Sequence, residues 1–193
     1  MKKAVVVLVA GISAVVASAH PQDGDRLTAL SQGTLLKTLV DLNIPANVST
    51  VYFRAGKQLR VGVTEVGLSY CLLSLKASSP KDRVIPAGKE LVVKSTRTDS
   101  NYYKDYAADP ATGKSVKSEG ARLTARFVEV KLESKNLESI TCANQGWVPA
   151  GASSDISMGE GNYPTIGQLK AAMGDMLQIV HPQPDVIDGE FEE

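Results

Sequence analysis

Short runs of β-branched and aromatic residues, set apart by turn-forming clusters, fill the middle of this chain and point to a β fold. The runs are Val48 to Phe53, Gln58 to Val63, Leu68 to Leu75, Glu90 to Thr96 and Leu123 to Leu132. Between them stand Ala55-Gly56-Lys57, Ser78-Ser79-Pro80-Lys81-Asp82 and Pro86-Ala87-Gly88-Lys89, the residue types that turns demand. Regular short strands punctuated in this way predict a mostly β protein, an antiparallel β-sandwich or barrel. Alternation is clearest in Ala121 to Leu132, where Leu123, Ala125, Phe127, Val130 and Leu132 are apolar while Arg122, Thr124, Arg126, Glu129 and Lys131 are polar. Its phase slips at Phe127-Val128, which predicts a β-bulge there.

Upstream, Leu36, Thr38, Val40, Leu42 and Ile44 follow a period of two from Gly33 until Pro45 stops it, so this stretch reads as one strand. A helix over Leu27 to Leu42 is the rival reading, with Gly33 in its middle costing about 1 kcal/mol relative to alanine. One helix is predicted outright, over about 164–174. Thr165 and Gln168 have capping-box spacing, Ile166, Leu169, Ala172 and Met173 form one apolar face, and Gly174 offers a left-handed stop. Met176 to Val180 then reads as a last strand.

The first residues concern destination. Lys2 and Lys3 precede an apolar run that ends in Ala17-Ser18-Ala19, the layout of a cleaved signal peptide over 1–19. The expectation is a protein exported to the periplasm or secreted, beginning at His20, with a single β-rich domain over 20–181. Residues 182–193, rich in proline and acids, read as a disordered acidic tail. Basic and acidic residues balance at 21 each, and cleavage leaves a weak acidic excess, so no nucleic-acid partner is expected. No second apolar run approaches the roughly 20 residues that a bilayer needs, so no transmembrane segment is expected after cleavage. Asn47-Val48-Ser49 forms a glycosylation sequon.

The chain has two cysteines, Cys71 and Cys142, and an even count in an oxidising compartment predicts a disulfide. The bridge would close a loop of about 70 residues, worth roughly 4 kcal/mol in the chain-entropy model.

Catalytic signatures are scarce. The chain has two histidines, His20 and His181, and both lie in expected terminal segments, whereas general acid–base catalysis most often recruits histidine. No G-x-S-x-G elbow, H-E-x-x-H pair or clustered zinc spacing occurs. Ala108 to Ser115 matches a phosphate loop except that Ala108 replaces the first glycine. Asp109 to Gly113 reads instead as a hairpin turn, with Pro110 fixing φ and Gly113 free to take a positive one.

Cleavage after Ala19 would give His20 a free α-amine beside its imidazole, two nitrogens able to chelate one metal, with His181 as the second histidine. In this feature the chain resembles copper-brace proteins such as lytic polysaccharide monooxygenases, which are secreted and β-sandwich-like. The resemblance rests on His20 and implies copper held by His20 and His181 for oxidative chemistry. Cleavage after Ala17 would bury the motif within the chain.

Tyr102, Tyr103 and Tyr106 cluster before the Asp109–Gly113 turn, and Trp147 follows in a glycine-containing stretch. Aromatic rings at one end of a sandwich can anchor a protein or a glycan. Ala143 to Asn162 reads as the longest irregular segment and the candidate functional loop. Together these features describe an exported, non-enzymatic binding or envelope-associated module with no cofactor, and a secreted copper-dependent oxidative enzyme as the alternative.

Overall fold

A computed structural model describes residues 21–59, 69–103, 107–108, 115–116, 121–149 and 163–181. The alternating segments form β1 (Leu35–Thr38), β2 (Leu42–Ile44), β3 (Thr50–Arg54), β4 (Lys57–Leu59), β5 (Tyr70–Leu75), β6 (Arg83–Ile85), β7 (Glu90–Tyr103), β8 (Ala107–Ala108), β9 (Ser115–Val116), β10 (Ala121–Glu133), β11 (Leu137–Pro149) and β12 (Leu177–Val180). One α-helix, α1 (Ile166–Met173), precedes β12. The fold is therefore mostly β with a C-terminal helix, as the sequence predicts. Eight strands make one antiparallel sheet in the order β12-β1-β7-β10-β11-β5-β3-β4, and β2-β6 and β8-β9 form two small ladders.

Alternation of side chains gives the middle of that sheet an apolar face. Val51, Phe53, Cys71, Leu73, Leu91, Val93, Val128, Val130, Ile140 and Cys142 are all buried. Cys71 and Cys142 face each other directly across β5 and β11 and are joined by a disulfide, as expected from their number. The sheet curls, because α1 packs against β3 and β5 near one end of the strand order and against β12 at the other. Ile166, Leu169, Ala172 and Met173 bury the helix's apolar stripe in the hollow, and Leu27 and Leu30, flanking a 3₁₀ turn over Leu27–Ala29, join the same core.

The start of α1 is closed on all sides. Thr165 Oγ1 accepts from the Gln168 amide while Gln168 Oε1 accepts from the Thr165 amide, the expected capping box. The amides of Ile166 and Gly167 donate to the carbonyls of Asp25 and Asp23, and Leu27 donates to Pro164. Amides that a helix ordinarily leaves unpaired are thus spent on the N-terminal segment.

Three expectations are corrected. The strand expected from Leu36 to Ile44 is broken, since Leu39 and Val40 are 46% and 41% exposed and β1 and β2 pair with different partners. Thr38 explains the break: its Oγ1 donates to the Pro86 carbonyl at 2.7 Å and accepts from the Lys89 amide at 2.9 Å, which ties the end of β1 to the 86–89 turn. The bulge expected at Phe127-Val128 lies between Lys131 and Leu132, where the pairing with β7 skips Lys94. Through Phe127 and Val128 the register runs straight. The apparent slip arises because Ala125 and Val128 are both buried on opposite faces of β10. Ala143 to Asn162 begins as strand rather than loop, for β11 continues to Pro149, while 150–162 lie outside the described residues.

The expected Asp109–Gly113 turn also lies outside them, yet β8 and β9 pair antiparallel on either side of it. The signal segment 1–19, the remainder of the Gln58–Val63 run after Leu59, and the tail 182–193 lie outside the described residues as well.

Candidate functional site

Antiparallel pairing brings two of the expected aromatic residues into one line. Tyr103 on β7 is opposite Leu123 on β10, and Leu123 is opposite Trp147 on β11. Through Leu123, Tyr103 and Trp147 stand at one register position on three neighbouring strands, two strand spacings or about 10 Å apart along the backbone. Tyr102 pairs instead with Thr124, one position along, and Tyr106 lies outside the described residues. Trp147 stands in a strand, not in the loop expected for it.

The unbroken register extends inward from this position. Below the row come Ala125 with Gln145, then Phe127 with Ala143 and Tyr70, then Thr141 with Leu72 and Tyr52. Tyr52 and Tyr70 approach to 5.9 Å between ring centroids, a distance typical of favourable aromatic pairs. These residues lie on the side of the sheet opposite the helix. Phe127, Tyr70, Leu72 and Tyr52 are half-buried there, and Ala125 and Ala143 are buried.

The helix side carries a polar cluster beyond the end of the core. Arg126 Nη1 donates to Tyr163 Oη at 3.0 Å, and its guanidinium carbon lies 5.1 Å from the Tyr163 ring centroid, with that of Arg26 at 5.8 Å. Asn144 Nδ2 donates to the capping Gln168, and Ser69 Oγ donates to Asn144 Oδ1. This network holds α1 against β11 and places cation–π contacts on Tyr163. The alternation of β10 marks Arg126 only as a polar position, and nothing local in the sequence identifies Tyr163 as its partner.

The metal reading rests on His20 and His181. His20 lies outside the described residues, and His181 is half-buried just past β12. Among the described residues no group of three or more His, Cys, Asp or Glu side chains converges to hold a metal ion. Among them, too, no helix is long and apolar enough to cross a membrane.

Compared with known proteins, the chain matches no family model, no curated protein and no solved structure.

Proposed function

We propose that the chain is an exported, non-enzymatic β-domain that binds a protein or glycan partner through the sheet face bearing Tyr103 and Trp147. The alignment of these two residues across three long strands carries the reading. Aromatic residues are favoured in binding surfaces because they offer large rigid area with few rotatable bonds. A β-sheet is also a firmer platform for them than a loop, since its ladder fixes their spacing. The disulfide is compatible with an oxidising compartment, and the Ala17-Ser18-Ala19 signal supports export.

The chain's one tryptophan is Trp147, so its fluorescence reports on this face alone. Capture of partners from the source organism's envelope or secreted fraction is expected with the mature chain, together with a shift in Trp147 emission. Tyr103→Ala and Trp147→Ala are each expected to weaken capture at least ten-fold with the fold intact by circular dichroism. A glycan array and protease treatment of the captured material separate the two partner classes. Capture indifferent to both substitutions would sink the proposal.

A further inference from the structure

A second concavity lies at the opposite end of β10 and β11, between β6 and the turn that joins those strands. It is a half-open hollow of about 130 Å³. Ile44, Leu75, Ile85 and Leu137 wall it with apolar surface, and all four are buried. Arg83 and Lys89 line it as well, with Ser134 and Asn136, and no acidic residue does.

The polar groups are set by the backbone around them. Arg83 stands opposite Ile44 in the β2-β6 ladder. Its Nη2 donates to the Ala77 carbonyl at 2.8 Å, which fixes the guanidinium, while its Nε is sealed from solvent with no hydrogen-bond partner. Ser134 Oγ accepts from the amides of Asn136 and Leu137, and its own proton is left to donate. Lys89 is exposed and anchored through its main chain to Thr38.

We propose that this pocket binds a monocarboxylate carrying one apolar group of up to about six carbons. The carboxylate is held by Arg83 and Lys89, and the apolar group by Ile44, Leu75, Ile85 and Leu137. Size sets the upper bound, because an apolar protein cavity of about 150 Å³ accommodates benzene. Charge sets the class, because two cations without a lining acid favour an anion over a neutral or cationic ligand of the same shape. Guanidinium and carboxylate are also matched for paired hydrogen bonds. The proposal does not depend on the aromatic row, which lies at the far end of the same strands.

The chemistry is shared by a free small acid and by a peptide chain ending in an apolar residue, so the test has an arm for each. Full-length mature protein is titrated with hexanoate, hexanol and hexylammonium, and with an acetylated tripeptide ending in leucine as its free acid and its amide. Amide NMR shifts are followed at 83–89 and 134–137. Saturable shifts are expected with hexanoate or the free-acid peptide and at least ten-fold weaker ones with their uncharged or cationic counterparts. Which acid binds tighter identifies the source.

Arg83→Gln is expected to weaken binding at least ten-fold. Val84, which lines the pocket and is 53% exposed, offers a second variant, and Val84→Glu is expected to repel the acid at least ten-fold while circular dichroism stays unchanged. Equal response to hexanol or hexylammonium, or no response to either acid at 10 mM (about −2.7 kcal/mol on the 1 M scale), overturns the proposal.

Discussion

Gly56 and Gly174 meet backbone to backbone. A Cβ added to Gly174 would stand 2.6 Å from the Gly56 Cα, and the Gly56 amide donates to the Ala172 carbonyl at 3.0 Å. Through this contact the β3–β4 turn locks onto the end of α1 and holds the curl of the sheet. Gly174 also has φ 56° and ψ −138°, a backbone region that side chains oppose. Gly174→Ala is therefore expected to lower stability by about 3 kcal/mol or more, from overpacking and backbone strain together. Gly24→Ala, with nothing within 4 Å of its added Cβ, is the control and is expected to stay within about 0.5 kcal/mol. Urea unfolding of the two variants decides it, and a Gly174→Ala protein as stable as the control would refute the contact's importance.

The neighbouring residue offers the opposite effect. Ala55 and Gly56 form the two-residue turn of the β3–β4 hairpin with φ of 49° and 69°, the left-handed pair that favours Asn-Gly. Alanine has no side chain to ease that conformation, whereas asparagine tolerates it. Ala55→Asn is expected to raise the unfolding midpoint, by about 0.5–1 kcal/mol in free energy. A lower midpoint would contradict this turn assignment.

Removing the Cys71–Cys142 bridge tests how far the fold relies on its cross-link. The bridged residues are 71 apart in sequence, and the chain-entropy model gives such a loop roughly 4 kcal/mol. The Cys71→Ala/Cys142→Ala double variant is expected to lose about that much in urea unfolding, and reducing agent is expected to destabilise the parent and leave the variant unaffected. Parent and variant of equal stability would show that the bridge contributes nothing.

Thr38 is fully buried and serves the Pro86 carbonyl and the Lys89 amide at once. Thr38→Val keeps the shape and takes one hydrogen bond from each partner, leaving only the Lys89 amide to the Pro86 carbonyl at 3.3 Å, at a cost of about 1 kcal/mol. Because Pro86 and Lys89 also line the pocket beside β6, the same variant is expected to shift their NMR signals without disturbing those of the β5–β11 ladder. Unchanged signals at 86–89 would argue against this coupling.

Local pattern carried much of this fold. The capping box at Thr165 and Gln168, the apolar stripe of α1 and the alternation of β10 were legible because each depends on residues close in sequence. The β1–β2 break was not, since Leu39 and Val40 are apolar and the cause, Thr38 binding the 86–89 turn, lies about fifty positions away. Residues 143–149 looked irregular because Asn144, Gln145 and Gly146 disfavour strands, but pairing with β10 along the whole hairpin outweighs that preference. For the candidate sites, the sequence marked Tyr103 and Trp147 as aromatic without revealing their shared row. It gave no sign that Arg83 and Lys89 border one pocket, which forms only when β6 packs beside the β10–β11 turn.

The pairing of β1 with β12 joins the first described strand to the last. A copy terminated before Pro164 retains the long β7-β10-β11 ladder but lacks the helix that packs on the β3 and β5 strands of Phe53 and Leu73, and the strand that flanks β1. Such a copy presents its apolar hollow to proteases and chaperones, while a finished one hides it.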